Sequence, residues 1–439
     1  MVMTESDALE RVAHDFGHVV GSEPVGVVQP RSEQEIAALV RAAGSAGERL
    51  TVRGAGHSFG GQSLPAHAVV VDMSGLKAAE AVDGDRELVQ CGAGATLRDV
   101  VTVTLSHGRL PRVMTNLLDL TIGGLLSVGG IGPGSQRYGP MVSNVASMVV
   151  VTGDGEIRRC ARTKDRQLYD AVLCGLGRCA VIVSAELELR PARPHVRTFY
   201  LLYDDHRRWL ADQQALAGSV HGMEGFCSPS AQGLRGTHGR RSAFATWFYP
   251  LQVCIEYEAT PPELPAELSP YRIVAVEDDL TSYFPTRHDV RFETMKRLGA
   301  WDRPHPTVSA LIDVATLAEV LPDVLALIPP GLGDAHRGIF LVDLQGAPPL
   351  FMTPSSEQVA FFSIMHAGVA PPLTEDALAA FSRVRDLLVD AGGKSYLADW
   401  LGSAGPADWR THFGSQADSW ETGKTRYDPS GVFCSQLLP

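Results

Sequence analysis

Apolar and polar positions along residues 1–192 repeat in two registers that predict helix and strand in alternation. Ser32-Glu33-Gln34-Glu35 reads as a capping box, after which Ile36, Leu39, Val40 and Ala43 recur at helical spacing up to a stop at Gly44. Leu50–Arg53 is a short strand that runs straight into the glycine-rich stretch Gly54–Gly61. Strands are expected at Ala68–Asp72 and Leu88–Cys91, and a helix at Leu97–Leu105. Met148–Thr152 followed by Gly153-Asp154-Gly155-Glu156 has the form of strand, turn and strand.

Two prolines interrupt the pattern at Arg190-Pro191-Ala192-Arg193-Pro194 and mark a boundary. Residues 195–395 are richer in Trp, Phe and Tyr and read as a second domain. Its last helix begins at Thr374 as N-cap, aligns Leu378, Phe381, Val384 and Leu388 on one face, and stops at Gly392-Gly393. The polar and aromatic tail from Trp400 is expected to return to the first domain. The divisions are therefore 1–192, 193–399 and 400–439.

Composition narrows the function classes. With 45% hydrophobic and 20% charged residues the 439-residue chain is an ordinary globular one, long enough for two cores. No apolar run is long enough to span a membrane, and the first residues lack a secretory pattern, so a cytoplasmic protein without a membrane partner is expected. A net charge of -12 disfavours a nucleic-acid partner. The seven cysteines show neither zinc spacing nor a closed disulfide framework and read as buried thiols; no metal is expected.

The chemistry-bearing signal lies in the glycines. Gly54–Gly61, Leu120–Gly134 and Gly175-Leu176-Gly177 are three glycine-rich segments in one domain. Glycine lets backbone N–H groups approach a ligand closely, so together they suggest a wall against a large flat molecule. The first is not the dinucleotide fingerprint, because Phe59–Pro65 does not start a helix.

Val52–Leu64 with Val69–Ser74 resembles the cytokinin dehydrogenases, within the p-cresol-methylhydroxylase (PCMH)-type FAD proteins. The likeness continues in order through Leu120–Gly124, Gln136–Pro140, Asn144-Val145, Val151–Gly155, Gly175–Gly177, Gly299–Pro306, Trp409–Gly414 and Tyr427–Pro429. It implies an α+β, two-domain PCMH-type FAD-binding fold with an inserted antiparallel-sheet substrate domain covered by helices. It further implies FAD bonded through its 8α carbon to His57, and by that bond alone, since Leu120–Gly134 has no cysteine for a second. By the same resemblance Gly54, Gly56, Ser58 and Gln62 line the pyrophosphate and ribityl chain. Thr121, Ser127 and Ile131 flank the flavin, Ile182 lies at the nucleotide end, and Gln436 reaches the ring system. Arg53, Gly124 and Val181 are counted with these neighbours.

The resemblance breaks in the substrate half. The family's Trp-Thr-Asp, whose aspartate takes a proton from the substrate amine, is Met114-Thr115-Asn116 here. An amide has no ionisable group to serve as that base. Thr307 stands where the family carries a tryptophan. Asn116 is then a substrate-orienting group, while Asp119 and Glu256 are candidate replacements for the base, with Glu224, Glu258, His305 and Asp343 as further polar candidates. The expectation is an FAD-dependent oxidoreductase that removes a hydride from a C–N or C–O carbon of a small natural product and passes electrons to O2 or another acceptor. A non-redox cyclase on the flavin scaffold, a cytokinin dehydrogenase with an altered base, and a binding protein that has lost catalysis remain alternatives.

Overall fold

The structure is a computed structural model and describes residues 2–81, 87–236, 239, 242–328, 335–402 and 406–438. Its first part is α+β. A parallel three-stranded sheet places Val69–Asp72 between Gly26–Val28 and Leu50–Arg53. The helix Glu33–Ala46 closes this unit with Ile36, Ala37, Val40 and Ala43 buried. Ser32 caps it by accepting from the Glu35 N–H, whereas the Glu35 carboxylate accepts from Arg31 N rather than from the cap itself. The helix runs through Gly44 and ends at Gly47, the residue that takes the left-handed conformation (φ 68°). A C-terminal glycine stops a helix by its backbone angle, which Gly44 does not have to supply.

A six-stranded antiparallel sheet follows, built around the long strand Ala180–Pro191. The predicted hairpin is present as Val145–Thr152 and Ile157–Ala161, and the helix Leu97–Leu105 carries a capping box between Thr96 and Asp99. These elements share one large core. The C-terminal helices Pro406–Phe413 and Ala417–Tyr427 return to it, burying Trp409, Phe413, Trp420 and Tyr427. The tail is anchored by a parallel bridge from Leu50 to Phe433 and by the Thr51 hydroxyl donating to the Cys434 carbonyl at 2.9 Å.

A second core sits under a nine-stranded antiparallel sheet. In spatial order its main path is Arg272–Leu280, His195–Tyr203, Ser242–Tyr257, Gly222–Phe226, Ala335–Val342, Val359–His366, Thr307–Asp313 and Lys394–Ser395. Helices His206–Leu216, Val314–Leu327 and Thr374–Asp390 cover one face. Thr374 is the first helical residue, not a side-chain cap, because the 3₁₀ turn Pro371–Leu373 already leads into it. The opposite face of Ala335–Val342, Val359–His366 and Thr307–Asp313 is left for a ligand. All seven cysteines are buried and unpaired, and no helix among the described residues is long and apolar enough to cross a membrane.

Glu256 connects the two sheets. Its carboxylate receives both terminal nitrogens of Arg190, at 3.0 and 2.6 Å, and the Arg193 N–H at 3.2 Å. The pair is nearly closed to solvent, with side-chain exposures of 9% and 1%. Glu256 is thus a structural anion and not a base facing the ligand cavity. Removing one member of such a pair strands the other charge away from water. Arg190→Ala is expected to lower stability in urea unfolding by about 3–5 kcal/mol. The double variant Arg190→Leu/Glu256→Leu should lose clearly less; equal losses would mean that the pair contributes packing and not charge.

Candidate functional site

A large cavity, about 1720 Å³ including its opening, lies between the glycine-rich segments of the first core and the free face of the second sheet. Its floor is Gly54–Phe59, Thr121, Gly123, Gly124, Ser127 and Ile131. Ala180 and Ile182 extend it toward the nucleotide end. A smaller recess shares Val52, Gln62, Leu176 and Gly177 with it and continues to Phe433–Ser435.

Glycine is required at the floor for a measurable reason. A Cβ at Gly54 would lie 2.0 Å from Thr121 Oγ1, and one at Gly56, whose φ is +70°, would lie 2.1 Å from the Arg53 guanidinium. Both positions therefore present bare backbone to the cavity. The loop is held from outside by the segment His14–Gly17. Asp15 Oδ2 accepts from Ser58 Oγ at 3.0 Å and from the Gly61 N–H at 2.8 Å. Phe16 N donates to Gly56 O, Gly17 N to Ser58 O, and the Arg53 guanidinium to His14 O. Burial pushes the Asp15 carboxyl up to about 6 despite these donors. Gln62 spends its amide on the Leu397 and Asp399 carbonyls, tying the loop to the segment that follows the second sheet.

His57 lies at the rim of this loop, its imidazole stacked on Phe16 with ring centroids 3.8 Å apart. Phe16 in turn packs on Trp301 and His305, so Gly299–Pro306 is the part of the second half that meets the histidine. Both nitrogens of His305 sit 3.0 Å from carbonyl oxygens, of His366 and Trp301, which assigns it to holding that turn. Burial, with His305 next in effect, lowers the His57 pKa to about 3, so the ring is neutral at neutral pH.

The roof follows from strand alternation. His336, Gly338 and Phe340 face the cavity from one strand, Phe361, Ser363 and Met365 from the next, and Thr307 and Ser309 from the third. Ser309 and Ser363 are direct cross-strand partners and hydrogen-bond at 2.9 Å. Beyond Phe292 the cavity reaches Asn116. The Asn116 amide donates to Glu224 Oε1, and its oxygen accepts from Arg287 at 3.1 Å. His288 Nε2 lies 3.1 Å from Glu224 Oε2. Burial alone would raise Glu224, yet its hydrogen bond to His288 and the charges of His288 and Arg287 bring it down to about 2. Glu224 is a fixed anion.

Of the residues singled out in the sequence, His57, Gly54, Gly56, Ser58, Gln62, Thr121, Gly124, Ser127, Ile131, Ile182, Asn116 and Thr307 line the cavity. Five do not. Asp119 points outward to Arg98 at 2.6 Å, which also binds Asp289, consistent with its odd offset from Asn116. Glu256 is bound to Arg190, as above. Arg53 braces the loop from behind. Val181, adjacent to Ile182 in the strand, packs in the core without lining the cavity. Gln436 is exposed and donates to Gly21 O, while Phe433, Cys434, Ser435 and Leu438 around it reach the recess. Among the more loosely named polar residues, Asp343 caps its own turn at the Gln345 N–H. Asp15 and Asp399 went unrecognised. A lone aspartate far from its partner in sequence carries no spacing signal.

Comparison with known proteins fits this geometry. Residues 24–161, which contain the glycine floor, match the FAD binding domain family. The chain is 30% identical to an oxidoreductase of the fasciation locus of Rhodococcoides fascians, over 97% of this chain and 96% of that protein. It is likewise 30% identical to cytokinin dehydrogenase 1 of Oryza sativa subsp. japonica, covering 97% of this chain and 89% of the relative. Cytokinin dehydrogenase 10 of the same plant is 30% identical over 98% and 87%. Gly54 and Gly56, where a side chain would collide with Thr121 or Arg53, line the cavity with bare backbone, which suits a cofactor pressed against it. The chain is an FAD-dependent oxidoreductase and belongs to the cytokinin dehydrogenase-like family.

Proposed function

We propose that the protein is an oxidase or dehydrogenase that carries FAD covalently through His57 and oxidises a C–N or C–O carbon of a small natural product other than a cytokinin, with O2 or another molecule as electron acceptor. In this reading it has the PCMH-type arrangement, the FAD-binding part being 1–192 with 400–439 and the substrate part 193–399. The second core, drawn entirely from residues between Phe199 and Leu388, supports that division, although Leu311, Val342, Phe351, Val359, Phe361 and Leu397 pack into the first.

FAD, when bound, supplies two-electron redox chemistry; the protein supplies position, electrostatics and proton management. The unprotonated His57 ring keeps a lone pair free at neutral pH, as a bond to the flavin 8α carbon requires. If the link forms, acid precipitation leaves the yellow chromophore in the protein pellet, and His57→Ala releases all of it to the supernatant. A colourless wild-type pellet would sink the covalent bond while leaving FAD binding intact.

The substrate side rests on one observation, the closed network of Asn116, Glu224, Arg287 and His288. Two carboxyls this close would have to share a proton; an amide removes that need and leaves Glu224 fully ionised. An anion held at about 2 is a poor base at neutral pH, and from behind the cavity wall it fixes the Asn116 amide that lines the cavity for a substrate N–H or O–H. Thr307 in place of a large ring widens the adjoining slot.

The experiment is anaerobic mixing with a panel of benzylic and allylic alcohols, secondary amines and N6-isopentenyladenine, watching the oxidised flavin band. Bleaching by non-purine members, faster than by isopentenyladenine, is expected. Conversion of a compound without bleaching would replace the redox reading with cyclisation or rearrangement. With a bleaching compound, Glu224→Gln is expected to raise KM by about 10- to 100-fold, the worth of one charge-assisted hydrogen bond, and to change kcat much less. An unchanged KM would remove Glu224 from substrate recognition.

A further inference from the structure

The cavity holds a second carboxyl that the network around Asn116 does not use. Asp399 lines it where the chain leaves the second sheet, beside Ser309. The residue is 3% exposed, and among the described residues its Oδ2 has no hydrogen-bond partner. A buried carboxyl oxygen left unpaired is costly, and in a ligand cavity it marks a place where a donor is expected to arrive. Its backbone is fixed independently, since Asp399 O accepts from Gln62 and the neighbouring Ala398 O accepts from Phe59 N. The side chain is thus held at the junction of the glycine floor and the serine pair of the roof.

We propose that Asp399 is the proton acceptor of the reaction, the task that an amide at position 116 cannot perform. This rests on the dehydrogenation reading above. The substrate H–C–X–H, with X nitrogen or oxygen, loses its X–H proton to Asp399 Oδ2. Its C–H hydrogen leaves with both bonding electrons to the cofactor, and C=X forms. Atoms and electrons balance, and the proton on Asp399 is later lost to solvent.

The electrostatic setting suits this task. Burial pushes the Asp399 carboxyl up to about 7, and the Ser309 hydroxyl and backbone offset only part of that rise. Among the described residues the polar groups facing it are these. From Thr307–Asp313 it meets Ser309, from the Phe59–Gln62 segment it meets Gln62 at its carbonyl, and on its own segment it meets Tyr396. Burial pushes the Tyr396 phenol further above its ordinary value, so it carries no charge at neutral pH. General bases work best when their pKa lies near the working pH, which favours Asp399 over Glu224.

The test uses the FAD-loaded enzyme and Asp399→Asn, with Ser309→Ala as a second variant. Infrared spectra of the wild type should show a protonated-carboxyl C=O band that disappears as pH rises through about 7 and is missing in Asp399→Asn. Asp15, which titrates near 6, contributes a band that both proteins share. A base must be ionised to act, so the rate of flavin bleaching by a panel compound should rise with pH through the same range. In Asp399→Asn it should be flat and about 10²- to 10⁴-fold slower, with flavin content unchanged. Ser309→Ala removes a group that lowers the Asp399 pKa, so both the band and the rate limb should move to higher pH. Absence of the neutral-range band, or wild-type rate and pH profile in Asp399→Asn, overturns the proposal. Bleaching by no compound removes the dehydrogenation reading and this base with it, whereas the infrared band reads the carboxyl alone and so separates the two failures.

Discussion

The cavity depends on a glycine loop being kept in one shape. Gly54–Gly61 contains four glycines and joins a strand to irregular chain, so its conformational entropy favours many shapes over the one observed. The restraint comes from Asp15, whose carboxylate gathers Ser58 and Gly61 while Phe16 and Gly17 bond the backbone between them. Gln62 makes the same loop answer to the segment after the second sheet. A floor fixed from the N-terminal side and from residues 397–399 can present bare backbone to a cofactor without collapsing on it. His57 gains its position from this, since Phe16, adjacent to Asp15, is the ring on which it stacks.

The same economy explains how the two halves meet. Gly299–Pro306 brings Trp301 and His305 onto Phe16, and the His305 N–H donates to Gly17 O at 2.7 Å. At the other end Arg190 and Glu256 join the long strand of one sheet to the long strand of the other. None of the residues in these ties lines the cavity, so the halves are joined by contacts that do not touch its lining.

Much of this was legible in the chain. The helix from Glu33, the helix Leu97–Leu105 and the hairpin around Gly155 follow from local periodicity and capping, which is what a single sequence reports best. The glycine floor was legible for a different reason, because glycine density is a local sign of a backbone-lined ligand. What was not legible is pairing over distance. An alternating strand aims Glu256 at something, but only the fold reveals that this is Arg190, 66 positions away. Val181 and Ile182 cannot both face one ligand, and strand register decides between them. Asp15 and Asp399 are unremarkable in sequence, and their meaning arises entirely from what the fold brings beside them.

The contrast between Glu224 and Asp399 carries that point into chemistry. Asp399 lines the cavity and Glu224 is buried behind Asn116, and in both the largest single effect of the fold is desolvation, which opposes ionisation. Glu224 is surrounded by His288, Arg287 and the Asn116 amide, and the donors win. Asp399 has the Ser309 hydroxyl and backbone to lower it, and desolvation wins. Had residue 116 been an aspartate, the Glu224 end would have held a shared proton and could have served both recognition and proton transfer. With an asparagine there, the amide and Arg287 commit Glu224 to permanent charge, and proton transfer falls to a carboxyl whose surroundings let it change state near neutral pH. The substitution at 116 is therefore better understood as a division of labour between a carboxylate behind Asn116 and one on the cavity than as the loss of a base.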